Sequence, residues 1–126
     1  SNSRRTGEII YKNELVKDLG GEVTEECISK LSKRGESRAN AEQQCKAAMD
    51  KFAFCVVDAQ KSVFPQKAND VFFTELENGR SEEEARKETK KPEHWGNFSQ
   101  DQRIRTMFLL QGKMEMCKDE FKKKIF

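Results

Sequence analysis

Histidine, tryptophan and tyrosine each occur once in this chain and proline twice. Each scarcity excludes something. With His94 as the sole histidine, chemistry that needs paired imidazoles has nothing to draw on, and no HExxH, GxSxG, P-loop or GxGxxG pattern occurs. No CxxC pair is present, which removes zinc-ribbon and thioredoxin-like arrangements. No apolar run approaches the roughly 20 residues of a membrane span. Neither sign of charge dominates: 24 basic and 22 acidic side chains leave a net charge of +2, too little for a global field that favours nucleic acid. Apolar residues are also few, 35% against 37% charged, so the core is expected to be thin and to benefit from covalent help. Internal repeats, low-complexity tracts and linkers are absent, and one domain over residues 1–126 is expected. The chain opens at Ser1 without Met or an apolar leader, which reads as a processed or trimmed product.

What is present points to helices. Nine Phe residues supply large burial areas, enough to argue against disorder. Ile9, Ile10, Leu15, Val16 and Leu19 follow Thr6 as a candidate cap, and Gly20-Gly21 stops that segment. Thr24 then precedes a short helix carrying Cys27, Ile28 and Leu31, which ends before Gly35. The strongest pattern begins near Ser37, where Ala41, Cys45, Ala48, Phe52, Cys55 and Ala59 recur at steps of four and three. Met49, Phe54, Val56 and Val57 widen that stripe, as expected of a central helix contacted from several sides, and Pro65 ends it. Ala68, Val71, Phe72 and Leu76 mark a further helix closed by Asn78-Gly79. Ser81 with Glu84, and Ser99 with Gln102, read as capping boxes. The second opens a long final helix with Ile104, Met107, Leu110, Met114, Cys117 and Phe121 on its core stripe. The expected fold is all-α, a compact bundle of four to six helices.

The four cysteines are best used as two disulfides; four buried free thiols in a reducing compartment are the alternative. Cys45 and Cys55 lie ten residues apart on one helix, roughly 15 Å along its axis, whereas a disulfide holds its Cα atoms within about 7 Å. They cannot pair. Cys27 and Cys45 sit at similar distances on either side of the turn near Lys33 to Glu36, so a helical hairpin brings them face to face. Cys55 is left to join Cys117.

Candidate contacts are few. Asn97-Phe98-Ser99 is an acceptor sequon for N-glycosylation. Trp95 and Phe98 stand outside helical periodicity in the loop from Pro92 to Phe98. Such aromatics act as interface anchors or fold back as a lid on the core. The polar stretch from Arg80 to Lys91 offers Arg80, Arg86 and Lys87 to a partner of complementary charge, although a solvated helix face explains most of its charges. Lys118, Lys122, Lys123 and Lys124 make the last helix locally basic, which its macrodipole accommodates. No catalytic residue, metal ligand or cofactor is expected, and a protein-binding role fits better than catalysis.

Cys27, Cys45, Cys55 and Cys117, the opening Gly7-Glu8-Ile9-Ile10-Tyr11 and the close Met116-Cys117-Lys118-Asp119-Glu120-Phe121 together resemble the anopheline mosquito salivary inhibitors, the albicin and anophensin group. The resemblance covers nearly the whole chain but includes no diagnostic functional motif. It implies a protein secreted in saliva that binds host plasma proteins and blocks the alternative complement pathway at the C3 convertase, with the kallikrein-kinin contact system as a second target. It transfers no residue roles. A helical carrier of small apolar ligands, its cavity lined by Met and Phe, is a rival expectation, and so is a structural or assembly domain without a host target.

Overall fold

The computed structural model describes residues 3–126, and among these it contains helices and no strands. There are five α-helices: α1 (Thr6–Lys33), α2 (Arg38–Val63), α3 (Gln66–Glu77), α4 (Glu82–Thr89) and α5 (Gln100–Ile125), with a single 3₁₀ turn at Pro92–His94. The all-α expectation and both bridges are observed.

The first two expected helices are the limbs of α1, which is bent at Gly20, where φ of 82° and ψ of 166° leave the helical region. Such a positive φ suits a residue without Cβ. The N-terminus differs from the expected cap: Thr6 lies inside the helix and extended Arg5 takes the cap position. Glu8 reaches back to accept the Arg5 backbone N–H at 3.3 Å. Arg5 is held there by ion pairs to Glu77 at 2.9 Å and Asp70 at 3.1 Å on α3. Ser37, Ser81 and Ser99 cap α2, α4 and α5, each accepting the backbone N–H three residues on.

A tight turn at 34–37 folds α2 back along α1, while α5 packs on α2, α3 packs on α1, and α4 lies on α3. Cys27 meets Cys45 with Cα atoms 6.0 Å apart, and Cys55 meets Cys117 at 5.8 Å. The core is distributed along α2. Near its start Ala41, Cys45 and Ala48 pack with Ile28, Leu31 and Ile125. Phe52 and Val56 pack with Cys117, Val57 with Tyr11, Phe72 and Phe73, and Ala59 with Phe64, Trp95 and Leu110. Contact with α1, α3 and α5 buries about half of its circumference and explains the broad apolar face, while residues such as Gln44, Lys51 and Asp58 on the other side stay exposed.

One expectation about the core is overturned. In the first turns of α5 the inward positions belong to Arg103, half-buried, and Thr106, buried, while Ile104 and Met107 are exposed. The expected stripe holds only from Leu110 onward, through Met114, Cys117 and Phe121. The reason is rotational. Turning α5 to present Cys117 to Cys55 carries Ile104 and Met107, at about 100° per residue, to the flank.

Candidate protein-docking site

The 3₁₀ turn and the residues after it return the chain from α4 to α5, and Trp95 sits at its C-terminal end. Trp95 is 4% exposed, packs tilted against Phe64 with ring centroids 5.0 Å apart and donates its indole N–H to the Thr89 carbonyl at 2.8 Å. Trp95 is therefore the lid on this end of the core, not a protruding anchor. A satisfied indole N–H and a packed ring are what burial of this side chain requires. Phe98 packs on it at 5.8 Å and stays partly exposed, so the second loop aromatic does reach the surface.

Between this loop and the first two turns of α5 lies an open groove of ≈ 400 Å³, lined by Lys90, Trp95, Gln100, Arg103, Ile104 and Met107. Trp95 forms its floor and the displaced Ile104 and Met107 form an apolar wall. Arg103 donates to the Lys90 carbonyl at 3.3 Å, while its buried Nε has no acceptor among the described residues. An unpaired buried N–H is costly, so an acceptor brought by a ligand would gain from meeting it. With two cations at the rim and apolar walls, the groove is suited to an apolar side chain beside a carboxylate or carbonyl group.

The remaining candidates separate. Arg86 is held within the fold: its guanidinium lies 4.1 Å over Phe72 and donates to the Tyr11 hydroxyl at 2.7 Å. Burial pushes the Tyr11 hydroxyl pKa up, and the neighbouring Arg86 cation opposes that rise. Arg80 and Lys87 do reach solvent, in a patch of mixed charge with Glu75, Glu84, Glu88 and Lys91. Arg80 lies 3.7 Å from Glu75 and 3.6 Å from Glu84, and Lys87 lies 3.9 Å from Glu83. Such exposed pairs contribute little. Asn97 is exposed, as a glycosylation acceptor must be, and Ser99 of the same sequon caps α5.

Glu88, Glu93 and His94 bring ligand atoms within 4.8 Å of one another, a set that can hold a metal ion. Lys91 already occupies the second oxygen of Glu88 at 2.8 Å. That hydrogen bond, aided by His94, holds the Glu88 carboxyl below the ordinary carboxylate range. A bound cation would have to compete with the lysine.

No family model, curated protein or solved structure matches this chain. Among the described residues, no helix is long and apolar enough to cross a membrane. Sequence reading missed the groove because it placed Ile104 and Met107 in the core. A signal was available: Phe108, Leu109 and Met116 lie off the inward stripe, so α5 carries more apolar residues than one buried face can use.

Proposed function

We propose that this protein acts by stoichiometric binding to another protein, with the groove between the 92–99 loop and α5 as its docking site. The observation that carries the reading is the exposed apolar wall of Ile104 and Met107 over a Trp95 floor, rimmed by Lys90 and Arg103. Two disulfides hold α1, α2 and α5 together, so docking costs little ordering entropy and a modest patch suffices. Paired cysteines also fit an oxidising, extracellular setting.

The target we propose, on the resemblance to the salivary inhibitors, is the host C3 convertase of the alternative complement pathway, blocked without cleavage or turnover. The test is alternative-pathway lysis in serum beside a pull-down from the same serum, using wild type and Ile104→Glu/Met107→Glu. Inhibition at equimolar protein, retention of convertase components and loss of both in the variant are expected. Retention of contact-system proteins without complement inhibition would transfer the activity to the kallikrein-kinin system. Full inhibition by the groove variant would remove the groove as the site.

A further inference from the structure

The outward face of α5 carries a pattern that the groove does not use. Asp101, Arg105, Phe108, Gly112, Met116, Asp119 and Lys123 follow one another at steps of four, three, four, four, three and four. At about 100° per residue these positions form one narrow stripe. All seven are exposed, Phe108 and Met116 at 67% each, and α5 meets the rest of the chain through its opposite face. The steps average about 3.7 residues, close to the natural turn, so two helices can stay in contact along the stripe with only slight right-handed supercoiling.

The stripe is also its own complement. Read from either end toward Gly112, a charged pair leads to a large apolar residue, and the charges at matching positions are opposite: Asp101 answers Lys123, and Arg105 answers Asp119. Among the described residues, none of these four forms an ion pair, although their neighbours on other helices pair freely. Within one chain Arg105 and Asp119 stand fourteen residues apart on a helix, roughly 21 Å, and cannot meet. Gly112 at the centre has no close neighbour among the described residues either, since a Cβ there would meet nothing within 4 Å. A glycine in an exposed helix interior costs about 1 kcal/mol relative to alanine and gives this monomer nothing in return. What it permits is close approach of a second helix.

We infer that two copies of this chain pair through α5, antiparallel about a two-fold axis at Gly112, with Phe108 of each packed on Met116 of the other and Arg105 facing Asp119. A two-fold contact is isologous, so every favourable pair occurs twice. Facing Gly112 residues let the backbones close to short distance, and the two apolar pairs flank that crossing. Lys123 and Asp101 complete the ends. A single helix seam lies at the small end of stable interfaces, so the dimer is reversible and depends on concentration. This inference is independent of the groove and its target, because the two surfaces occupy different sides of α5.

Sedimentation of the purified chain over a range of concentrations tests the pairing. A monomer–dimer equilibrium is expected for wild type. Arg105→Glu or Asp119→Arg alone should weaken dimerisation about tenfold or more, because each places two like-charged pairs across the seam. The double variant Arg105→Glu/Asp119→Arg should regain most of the loss, a rescue available only between chains. Gly112→Leu should abolish the dimer while circular dichroism shows helicity retained, so failure to fold is told apart from failure to pair. A chain that stays monomeric at millimolar concentration would overturn the inference, as would a dimer indifferent to these substitutions or single reversals that the double variant does not repair.

Discussion

Gly7 in the first turn of α1 lies directly against the backbone of Phe73 in α3: a Cβ on Gly7 would come within 2.5 Å of the Phe73 carbonyl oxygen and 2.7 Å of its Cβ. This contact sets the separation of the two helices. The neighbouring Gly7 N–H donates to Glu77 at 2.8 Å, which adds to the ion pair from Arg5 and holds that carboxyl below its ordinary pKa. Backbone cannot yield as a flexible side chain can, so Gly7→Ala must push α1 off α3. A loss of about 1–3 kcal/mol is expected in chemical denaturation. An unchanged unfolding midpoint would show that the helices separate freely.

Trp95 gives a spectroscopic test, being the only tryptophan. Its emission should be blue-shifted in the native protein and move to the red on unfolding, since the indole is buried against Phe64. Trp95→Ala should cost about 3–5 kcal/mol, and Trp95→Phe less, with the Thr89 carbonyl losing its donor. A solvent-exposed emission spectrum in the native state would contradict the lid.

The two bridges should differ in worth. Cys55 and Cys117 are 62 residues apart in sequence, and Cys27 and Cys45 are 18 apart. In the chain-entropy picture the longer loop contributes about 4 kcal/mol and the shorter about 3. Replacing Cys55 and Cys117 by Ser should therefore lower the melting temperature more than replacing Cys27 and Cys45, and hydrogen exchange should accelerate first in α5. Equal losses would point to effects other than loop closure.

Glu8 makes stability sensitive to acid. Its carboxylate is buried, which by itself would raise its pKa, but hydrogen bonds from Lys61 at 3.0 Å, the Arg5 N–H and Arg4 at 3.1 Å outweigh that and lower it. A carboxyl with a lower pKa when folded contributes stability that is present above its unfolded value, about 4.3, and is lost as pH falls through the folded value. Melting temperature should drop across that acid range in wild type. Glu8→Gln should be less stable at neutral pH by about 1–3 kcal/mol and show a shallower acid decline. Parallel pH profiles for the two proteins would remove Glu8 from the effect.

A carrier of apolar ligands would release bound lipid on organic extraction of the purified chain and take up an apolar dye. Neither is expected here, because Phe72 and Phe73 pack on each other and Phe72 packs edge-on against Tyr11 at 5.1 Å. Recovered lipid in stoichiometric amount would revive that reading.

Local chemistry made much of this fold legible. Ser37, Ser81 and Ser99 cap their helices because a hydroxyl accepts a backbone N–H wherever a helix starts, and Pro65 and Gly20 interrupt helices for equally local reasons. The cysteine pairing was also legible, since distance along a helix forbids Cys45 from reaching Cys55 and the hairpin turn near Lys33 to Glu36 sets Cys27 opposite Cys45. The candidate site was hidden by rotation. Periodicity names the residues that share a face, but α5 has apolar residues on more than one face, and only its packing on α2 through the Cys55–Cys117 bridge selects the face that is buried. That choice sent Ile104 and Met107 to the groove wall and left Phe108 and Met116 in solvent, while contacts with Phe64 and the Thr89 carbonyl, outside α5, drew Trp95 inward. Likewise no sequence pattern distinguishes Arg86, laid over Phe72 and Tyr11, from the solvated Lys87 beside it. Propensity and capping act within a few residues, whereas the identity of a buried face depends on contacts between segments far apart in the chain.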